Sequence, residues 1–173
     1  MIYAALLTAL IAALPPPIAI AGEEALQIRN LRSGLCLDVP GARSNNHVSI
    51  QQYKCRSTDD IWVAAQLWRL KTIGDYVQIQ NPRSGRCLDV PEGRAENHVP
   101  IQQYECRKWG DRWLSAQLWT LERINGYIQI RNLRTGLCLD VPAGVPHNYT
   151  ILQQYNCRES GDRWIGAQLW QLR

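Results

Sequence analysis

The chain has 173 residues, of which 46% are hydrophobic, and 19 Lys and Arg against 15 Asp and Glu give a net charge of +4. This length fits one domain that can bury a core of its own. The small positive charge is spread along the chain, which excludes the concentrated basic stripe typical of nucleic-acid-binding proteins.

The N-terminal segment differs from the rest. Residues 1–21 carry no charged side chain and end in A-I-A at 19–21, the small-x-small pattern of a signal-peptidase site. An uncleaved membrane anchor is the alternative, because the apolar run is nearly long enough to span a bilayer. Three prolines at 15–17 argue against it, since they would break a spanning helix. We predict a signal peptide at 1–21, a secreted domain at 22–173 and no later membrane-inserted segment.

The secreted part repeats itself. The stretch Cys36–Cys55 recurs at Cys87–Cys106 and at Cys138–Cys157, each time 51 residues further along. A fixed period of this length indicates a fold built from repeated units. The units run over 27–77, 78–128 and 129–173, and are called repeats 1, 2 and 3 below.

Four short blocks are common to the repeats: Q-I-x-N, C-L-D-V-P, Q-Q-Y-x-C-R and A-Q-L-W-x-L. Each predicts a strand, because apolar and polar residues alternate within it and Gly, Pro, Asn or Asp lie between the blocks. Twelve such strands predict an all-β barrel or sandwich. One repeat cannot cover its own apolar face, so three must share a core. We expect Trp68, Trp119 and Trp170 to anchor that core around a threefold axis.

The six cysteines allow about fifteen pairings. Threefold repetition favours one disulfide within each repeat. A metal site is the weaker alternative, because the sequence has no C-x-x-C and its three histidines are not in equivalent places. The predicted bonds join Cys36 to Cys55, Cys87 to Cys106 and Cys138 to Cys157.

With C-L-D-V near the start of each repeat and Q-L-W near its end, the chain resembles the ricin B-type (R-type) lectins. That resemblance covers the whole secreted part. It implies a β-trefoil, in which a six-stranded barrel is capped by three hairpins and each repeat supplies one third.

The resemblance also implies a carbohydrate site in each repeat. A carboxylate and an amide can pair with sugar hydroxyls, and a flat aromatic ring suits the C–H face of the sugar. The alternation in V-S-I-Q-Q-Y predicts that Gln51 and Tyr53 face outward while Ile50 faces inward, and that Asp38 emerges after buried Leu37. The implied carbohydrate-binding residues are Asp38, Gln51, Tyr53 and Gln66 in repeat 1, Asp89, Gln102, Tyr104 and Gln117 in repeat 2, and Asp140, Gln153, Tyr155 and Gln168 in repeat 3.

Each of these residue types has a structural alternative. The Gln of Q-L-W can satisfy backbone groups, which we favour over sugar contact for Gln66, Gln117 and Gln168. An Asp in a turn can cap its own backbone, and the tyrosines can pack against an edge of the fold.

One departure from the family pattern affects the site. The family commonly has Asn before the Gln of Q-x-W, whereas this chain has Ala65, Ala116 and Ala167. The preceding segment is longer than usual and carries D-x-W in every repeat. Our hypothesis is that this loop folds over the site and replaces the missing amide, with its Trp as a second wall of the site; the alternative is that this Trp covers an edge of the core. The residues are Asp60 and Trp62, Asp111 and Trp113, and Asp162 and Trp164.

Asn46-His47, Asn97-His98 and Asn148-Tyr149 precede the third strand of each repeat. We expect the Asn to shape a turn and the His or Tyr to be a solvated loop side chain. Asn148-Tyr149-Thr150 also matches a glycosylation sequon.

The leading functional interpretation is a secreted, non-catalytic lectin that binds galactose-type or xylan-type glycans without a cofactor. An enzyme is disfavoured, because the carboxylates of different repeats are too far apart to form a glycosidase pair. A protein-binding trefoil, such as a hydrolase inhibitor or toxin partner, is the second candidate, but near-equivalent repeats do not suit an asymmetric protein target.

Overall fold

The computed structural model describes residues 24–173, so the predicted signal peptide at 1–21 lies outside the described residues. The regular secondary structure of the described chain consists of β-strands and short 3-10 helices. Its strands are β1 (Leu26–Asn30), β2 (Cys36–Asp38), β3 (Val48–Ser49), β4 (Gln51–Tyr53), β5 (Leu67–Ile73), β6 (Tyr76–Asn81), β7 (Arg86–Asp89), β8 (Gln102–Glu105), β9 (Leu118–Ile124), β10 (Tyr127–Asn132), β11 (Cys138–Asp140), β12 (Thr150–Ile151), β13 (Gln153–Tyr155) and β14 (Leu169–Leu172).

Six of these strands close into a barrel. Strand β1 pairs with β14 and β5, and the ring continues through β6, β9 and β10 back to β14, with every pair antiparallel. The hairpins β2–β4, β7–β8 and β11–β13 form a cap, one from each repeat. Contacts of β4 with β12, of β3 with β8 and of Pro100 with Gln153 join the hairpins to one another. This is the β-trefoil that the resemblance implied.

The four predicted strands of each repeat are present, with one local difference. In repeats 1 and 3 the third strand is split at Ile50 and at Leu152. In repeat 2 the corresponding first half is reduced to an isolated bridge at Pro100. Proline has no N–H to donate to a ladder, which accounts for the shortened strand there.

The core lies on the barrel axis, as expected. Trp68, Trp119 and Trp170 are fully buried. Each indole Nε1 donates a hydrogen bond to the carbonyl of the Leu in C-L-D, over 3.1, 3.3 and 3.3 Å respectively. A buried Trp needs such a partner for its N–H, so the bond ties the strand before the site to the core.

The three predicted disulfides are present, each spanning 19 residues within one repeat. In the chain-entropy account, closing a loop of this size stabilises the folded state by about 3 kcal/mol per bond. Each bond also fastens the cap hairpin to the residue that follows it.

Among residues 24–173, no helix has the length and apolar character needed to cross a membrane.

Candidate functional site

A buried carboxylate lies at the centre of the site in each repeat. In repeat 1, Gln51 Nε2 donates to Asp38 Oδ1 over 2.7 Å, and Gln66 Nε2 donates to Asp38 Oδ2 over 3.2 Å. The same pair of bonds recurs at Asp89, over 2.7 and 3.1 Å, and at Asp140, over 2.8 and 3.2 Å. The structure therefore brings together three of the four residues implied for each site and gives them one geometry.

The depth of these carboxylates differs from the sequence expectation. Asp38, Asp89 and Asp140 are each only 2% exposed, and Gln51 is buried as well. Strand pairing places Asp38 opposite Gln51, and the 3-10 helix that ends at Gln66 brings a second glutamine onto the same carboxylate, so side chains of the protein itself surround it. Burial raises the pKa of all three carboxyl groups above the ordinary value of 3.8, although the hydrogen bonds from the two glutamines oppose the shift.

The glutamine of Q-L-W has a structural environment. Gln66 is fully buried, and its Oε1 accepts hydrogen bonds from the backbone N–H of Arg56 and from Gln27. Its Nε2 donates to Asp38 and to the Lys54 carbonyl. All four hydrogen-bonding positions of the amide are thus used within the protein. Gln117 and Gln168 have the same contacts, so these three residues orient the carboxylate and leave no group for direct contact with a ligand.

An arginine that sequence reasoning missed lies against the tyrosine. The guanidinium of Arg56 lies 4.7 Å from the centroid of the half-buried Tyr53 ring. Arg107 and Arg158 lie in the same way over Tyr104 and Tyr155, at 4.8 and 5.0 Å. The signal was present in the sequence, because this Arg closes the block Q-Q-Y-x-C-R in every repeat. The arginine is therefore part of the site, and it covers one region of the ring expected to stack on a sugar.

The acid of the D-x-W loop holds this arginine. Asp60 Oδ2 lies 3.2 Å from Arg56, and its Oδ1 accepts the backbone N–H of Trp62 over 2.7 Å. Asp111 and Asp162 have equivalent contacts. The hypothesis that the acid itself replaces the missing amide does not match these contacts, because the carboxylate is already engaged with the arginine and the turn.

In repeat 3 the tryptophan of the same loop lines a pocket, as the second part of that hypothesis predicts. This pocket of about 190 Å³ is lined by the Val141–Gly144 turn, Arg158, Trp164 and Ala167. Ala167 stands where the family commonly has Asn, so the small side chain contributes to the space. In repeat 2 a cavity of about 380 Å³ lies on the other side of the arginine, lined by Tyr104, Arg107, Trp109 and Asp111 among others.

Each site is contacted by a side chain from a neighbouring repeat, which the sequence did not indicate. His47 of repeat 1 packs edge-on against Tyr104 of repeat 2 at 5.0 Å, and its Nδ1 lies 3.2 Å from Gln102 Oε1. His98 has the same relation to Tyr155 and Gln153. At the third junction Tyr149 packs against Tyr53 at 5.1 Å. The residue expected to be a solvated loop side chain thus contacts the site of the next repeat.

The Asn before each of these residues also crosses between repeats. The side-chain Oδ1 of Asn46 accepts the backbone N–H of Glu105 over 2.9 Å, and Asn97 and Asn148 accept those of Asn156 and Lys54 over 2.8 Å. His47, His98 and Tyr149 have φ values of 63°, 67° and 66°, so the Asn does precede a turn with left-handed backbone. The Asn therefore both holds the turn and links it to the neighbouring hairpin.

Comparison with known proteins agrees with this architecture. The family described as "Ricin-type beta-trefoil lectin domain" matches residues 75–172, and the related "Ricin-type beta-trefoil lectin domain-like" family matches residues 19–104. No protein with curated annotation matches the sequence.

Three solved structures illustrate the likeness. A designed threefold-symmetric protein, ThreeFoil, is 25% identical with a TM-score of 0.72, over 86% of this chain and 96% of its own. An exo-β-1,3-galactanase from Clostridium thermocellum is 28% identical with a TM-score of 0.72, over 88% of this chain but only 30% of the galactanase. The Rhizoctonia solani agglutinin, at 22% identity, shares the fold with a TM-score of 0.69, over 93% of this chain and 98% of its own.

Proposed function

Because this chain belongs to the ricin-type β-trefoil lectin family, we propose that it is a secreted, non-catalytic lectin with one glycan-binding site in each repeat. The observation that carries the proposal is the threefold recurrence of one buried carboxylate held by two glutamines beside an Arg–Tyr pair. Burying a carboxylate is costly unless it is well paired. The same buried carboxylate occurs in all three repeats, and a role in ligand binding explains this recurrence better than a role in the fold alone.

The carboxylate keeps acceptor capacity for a sugar. An ionised carboxylate offers about four lone-pair positions, and the two glutamine side chains use one on each oxygen of Asp38. In repeat 3 the pocket is lined by Val141 and Ala167, which directly follow Asp140 and directly precede Gln168 in the chain. We propose that sugar hydroxyls enter through this pocket to reach the carboxylate, and that Arg158 and Trp164 contact the ring.

Galactose-type and xylan-type glycans are the proposed ligands. The likeness to a domain within an exo-β-1,3-galactanase supports β-1,3-galactan as the first polysaccharide to test. Export is supported by three disulfides in a small domain, which persist in oxidising compartments. Three sites on one rigid body would raise the affinity for polysaccharides through multivalency.

The test is a glycan array probed with the secreted domain and with the triple variant D38N/D89N/D140N. Asn keeps the volume of the side chain but removes the charge from each site. We expect the wild-type protein to bind galactose-type or xylose-type glycans and the triple variant to lose that binding. D75N, which neutralises an exposed Asp in the β5–β6 turn, is the matched control. Equal binding by the triple variant, or no glycan binding by the wild type, would contradict the proposal.

A further inference from the structure

The tryptophans of the three D-x-W loops are not equivalent. Two guanidinium groups lie over the ring of Trp113. The guanidinium carbon of Arg134 is 4.4 Å from the ring centroid and that of Arg112 is 5.0 Å from it. Two lie over Trp164, those of Arg32 at 4.3 Å and Arg163 at 4.9 Å. No arginine lies over Trp62 in the part of the chain that the structure describes. Trp62 is 48% exposed, and Ile61 beside it is 87% exposed.

The first arginine is absent from repeat 1 by sequence. Arg112 and Arg163 directly precede their tryptophans, whereas Ile61 precedes Trp62. This substitution replaces a cation that can lie over an indole ring with an exposed apolar side chain.

The second arginine, equivalent to Arg32 and Arg134, is present as Arg83. The space that it would occupy over the turn before Trp62 is taken by another side chain. Arg134 lies so close over Gly93 that a Cβ built there would collide with its Nε and Cδ atoms, and Arg32 lies in the same way over Gly144. Repeat 1 has Ala42 at this position, with φ at 50°. Its methyl group occupies the space that the arginine uses in the other repeats.

A second difference acts on the same arginine. Leu31 and Leu133, which precede Arg32 and Arg134, donate backbone hydrogen bonds over 2.8 Å to the carbonyls of Leu169 and Leu118. Arg83 follows Pro82, which has no N–H to make this bond. Repeat 1 therefore lacks both the anchored backbone and the open glycine that place the arginine over the ring.

From these differences we infer that Trp62 and Ile61 form a stacking subsite found only in repeat 1, which takes a pyranose unit next to the one held at Asp38. The inference rests on the proposed lectin function. Trp62 is connected to that site through Asp60. The backbone N–H of Trp62 donates a hydrogen bond to the Asp60 carboxylate, and Asp60 forms an ion pair with Arg56, which lies over the Tyr53 ring. An uncovered indole suits the C–H face of a pyranose, whereas the corresponding rings of repeats 2 and 3 already carry guanidinium groups. Repeat 1 is thus an extended site for two sugar units, and repeat 3 is a short site for one. In repeat 2 the ring of Trp109, which is 84% exposed, lies beside Tyr104 and Arg107 in a separate cavity, so repeat 3 is the reference for a site without an uncovered indole.

The test compares variants in which only one site keeps its carboxylate. D89N/D140N leaves repeat 1 active, and D38N/D89N leaves repeat 3 active. Each is titrated calorimetrically with galactose and β-1,3-galactotriose, and with xylose and xylotriose. Aromatic stacking contributes about 0.5–1.5 kcal/mol, so we expect the repeat 1 site to prefer the trisaccharide over its monosaccharide by about 2- to 10-fold more than the repeat 3 site does.

Substitutions at Trp62 and around it then test whether the indole ring causes the trisaccharide preference. W62A in the repeat 1 background should abolish the additional preference, W62F should retain part of it, and I61R/A42G should weaken it by bringing arginines to the ring. R163I/R32A in the repeat 3 background should create the preference by uncovering Trp164. Thermal unfolding confirms that each variant is folded before it is titrated.

The outcomes separate this inference from the lectin function. If both single-site proteins bind sugars with the same trisaccharide preference, the subsite is wrong and the lectin function stands. If neither protein nor the wild type binds any of the four sugars, the lectin function itself fails. If W62A leaves the preference unchanged but converts a dimer to a monomer in sedimentation, the patch is a contact between two copies and the subsite is wrong.

Discussion

Repeat 1 has the same interior as repeats 2 and 3 but differs from them at the surface. Trp68 occupies the same buried position as Trp119 and Trp170, and each binds the carbonyl of its own C-L-D leucine. At the surface, Ile61, Ala42 and Pro82 change the surroundings of one exposed tryptophan. The three repeats share one core, so a change in any of them disturbs all three. A surface loop contacts only its neighbours and can diverge alone.

The largest expected effect is on stability, and it tests whether the three repeats contribute equally to the core. Replacing Trp68, Trp119 or Trp170 with Ala should each lower the free energy of unfolding by about 3–5 kcal/mol, the range for loss of a buried Trp. Denaturant unfolding of the three single variants measures this. A cost for one variant of less than half that of the others would show that the repeats do not contribute equally to the core.

An intermediate effect concerns the three carboxylates, whose pKa values burial raises in the same direction. A sugar hydroxyl donates to the ionised form, so binding should weaken as the pH falls through the raised pKa. Loss of a hydrogen bond to a charged group costs about 1.5–3 kcal/mol, or roughly tenfold or more in affinity. Titration of β-1,3-galactotriose across acidic pH measures the change. If the sites are alike at their centres, repeats 1 and 3 should lose binding over the same pH range.

Folding stability should change with the opposite sign. Because the folded pKa lies above the unfolded value, near 3.8, the folded state holds more protons between the two values. The contribution of these groups to stability is therefore complete below the unfolded pKa and is lost as the pH rises through the folded pKa. Comparing denaturant unfolding of the wild type with D38N/D89N/D140N over this range isolates the contribution. A triple variant with the same pH dependence as the wild type would contradict it.

The smallest expected effect lies in the loop ion pairs. The Arg–Asp distances are 3.2 Å in repeats 1 and 2 and 3.6 Å in repeat 3, and all six side chains are 20–37% exposed. Exposed pairs of this kind contribute about 0–1 kcal/mol. D60N, D111N and D162N should each lower the free energy of unfolding by no more than this, with D162N lowest and all three effects reduced by salt. A cost above about 2 kcal/mol would indicate that the Asp also holds the Trp loop in place.

Several features of the site could not be predicted because they depend on chain segments distant in sequence. Alternation in V-S-I-Q-Q-Y placed Gln51 beside Asp38, but nothing local shows that Gln66 binds the same carboxylate or that all three side chains are buried. Arg56 was visible as a shared residue, yet its position over Tyr53 depends on Asp60. The contacts of His47 with Gln102 and Tyr104 join residues more than 50 positions apart.

The sequence by itself determined three equivalent β repeats, the disulfide pairing and the tryptophan core, whereas the trefoil was implied by the resemblance to the lectin family. The first three follow from a fixed period in which the same apolar residues and cysteines recur, and recurrence forces equivalent positions around one axis. Only the tertiary structure decided how deeply the carboxylates lie, which repeat contacts which site and which tryptophan stays uncovered. Such features depend on small local differences, such as the Ala42 methyl group and the lack of a backbone N–H at Pro82. Their effect appears only when a side chain from the next repeat comes to lie against them.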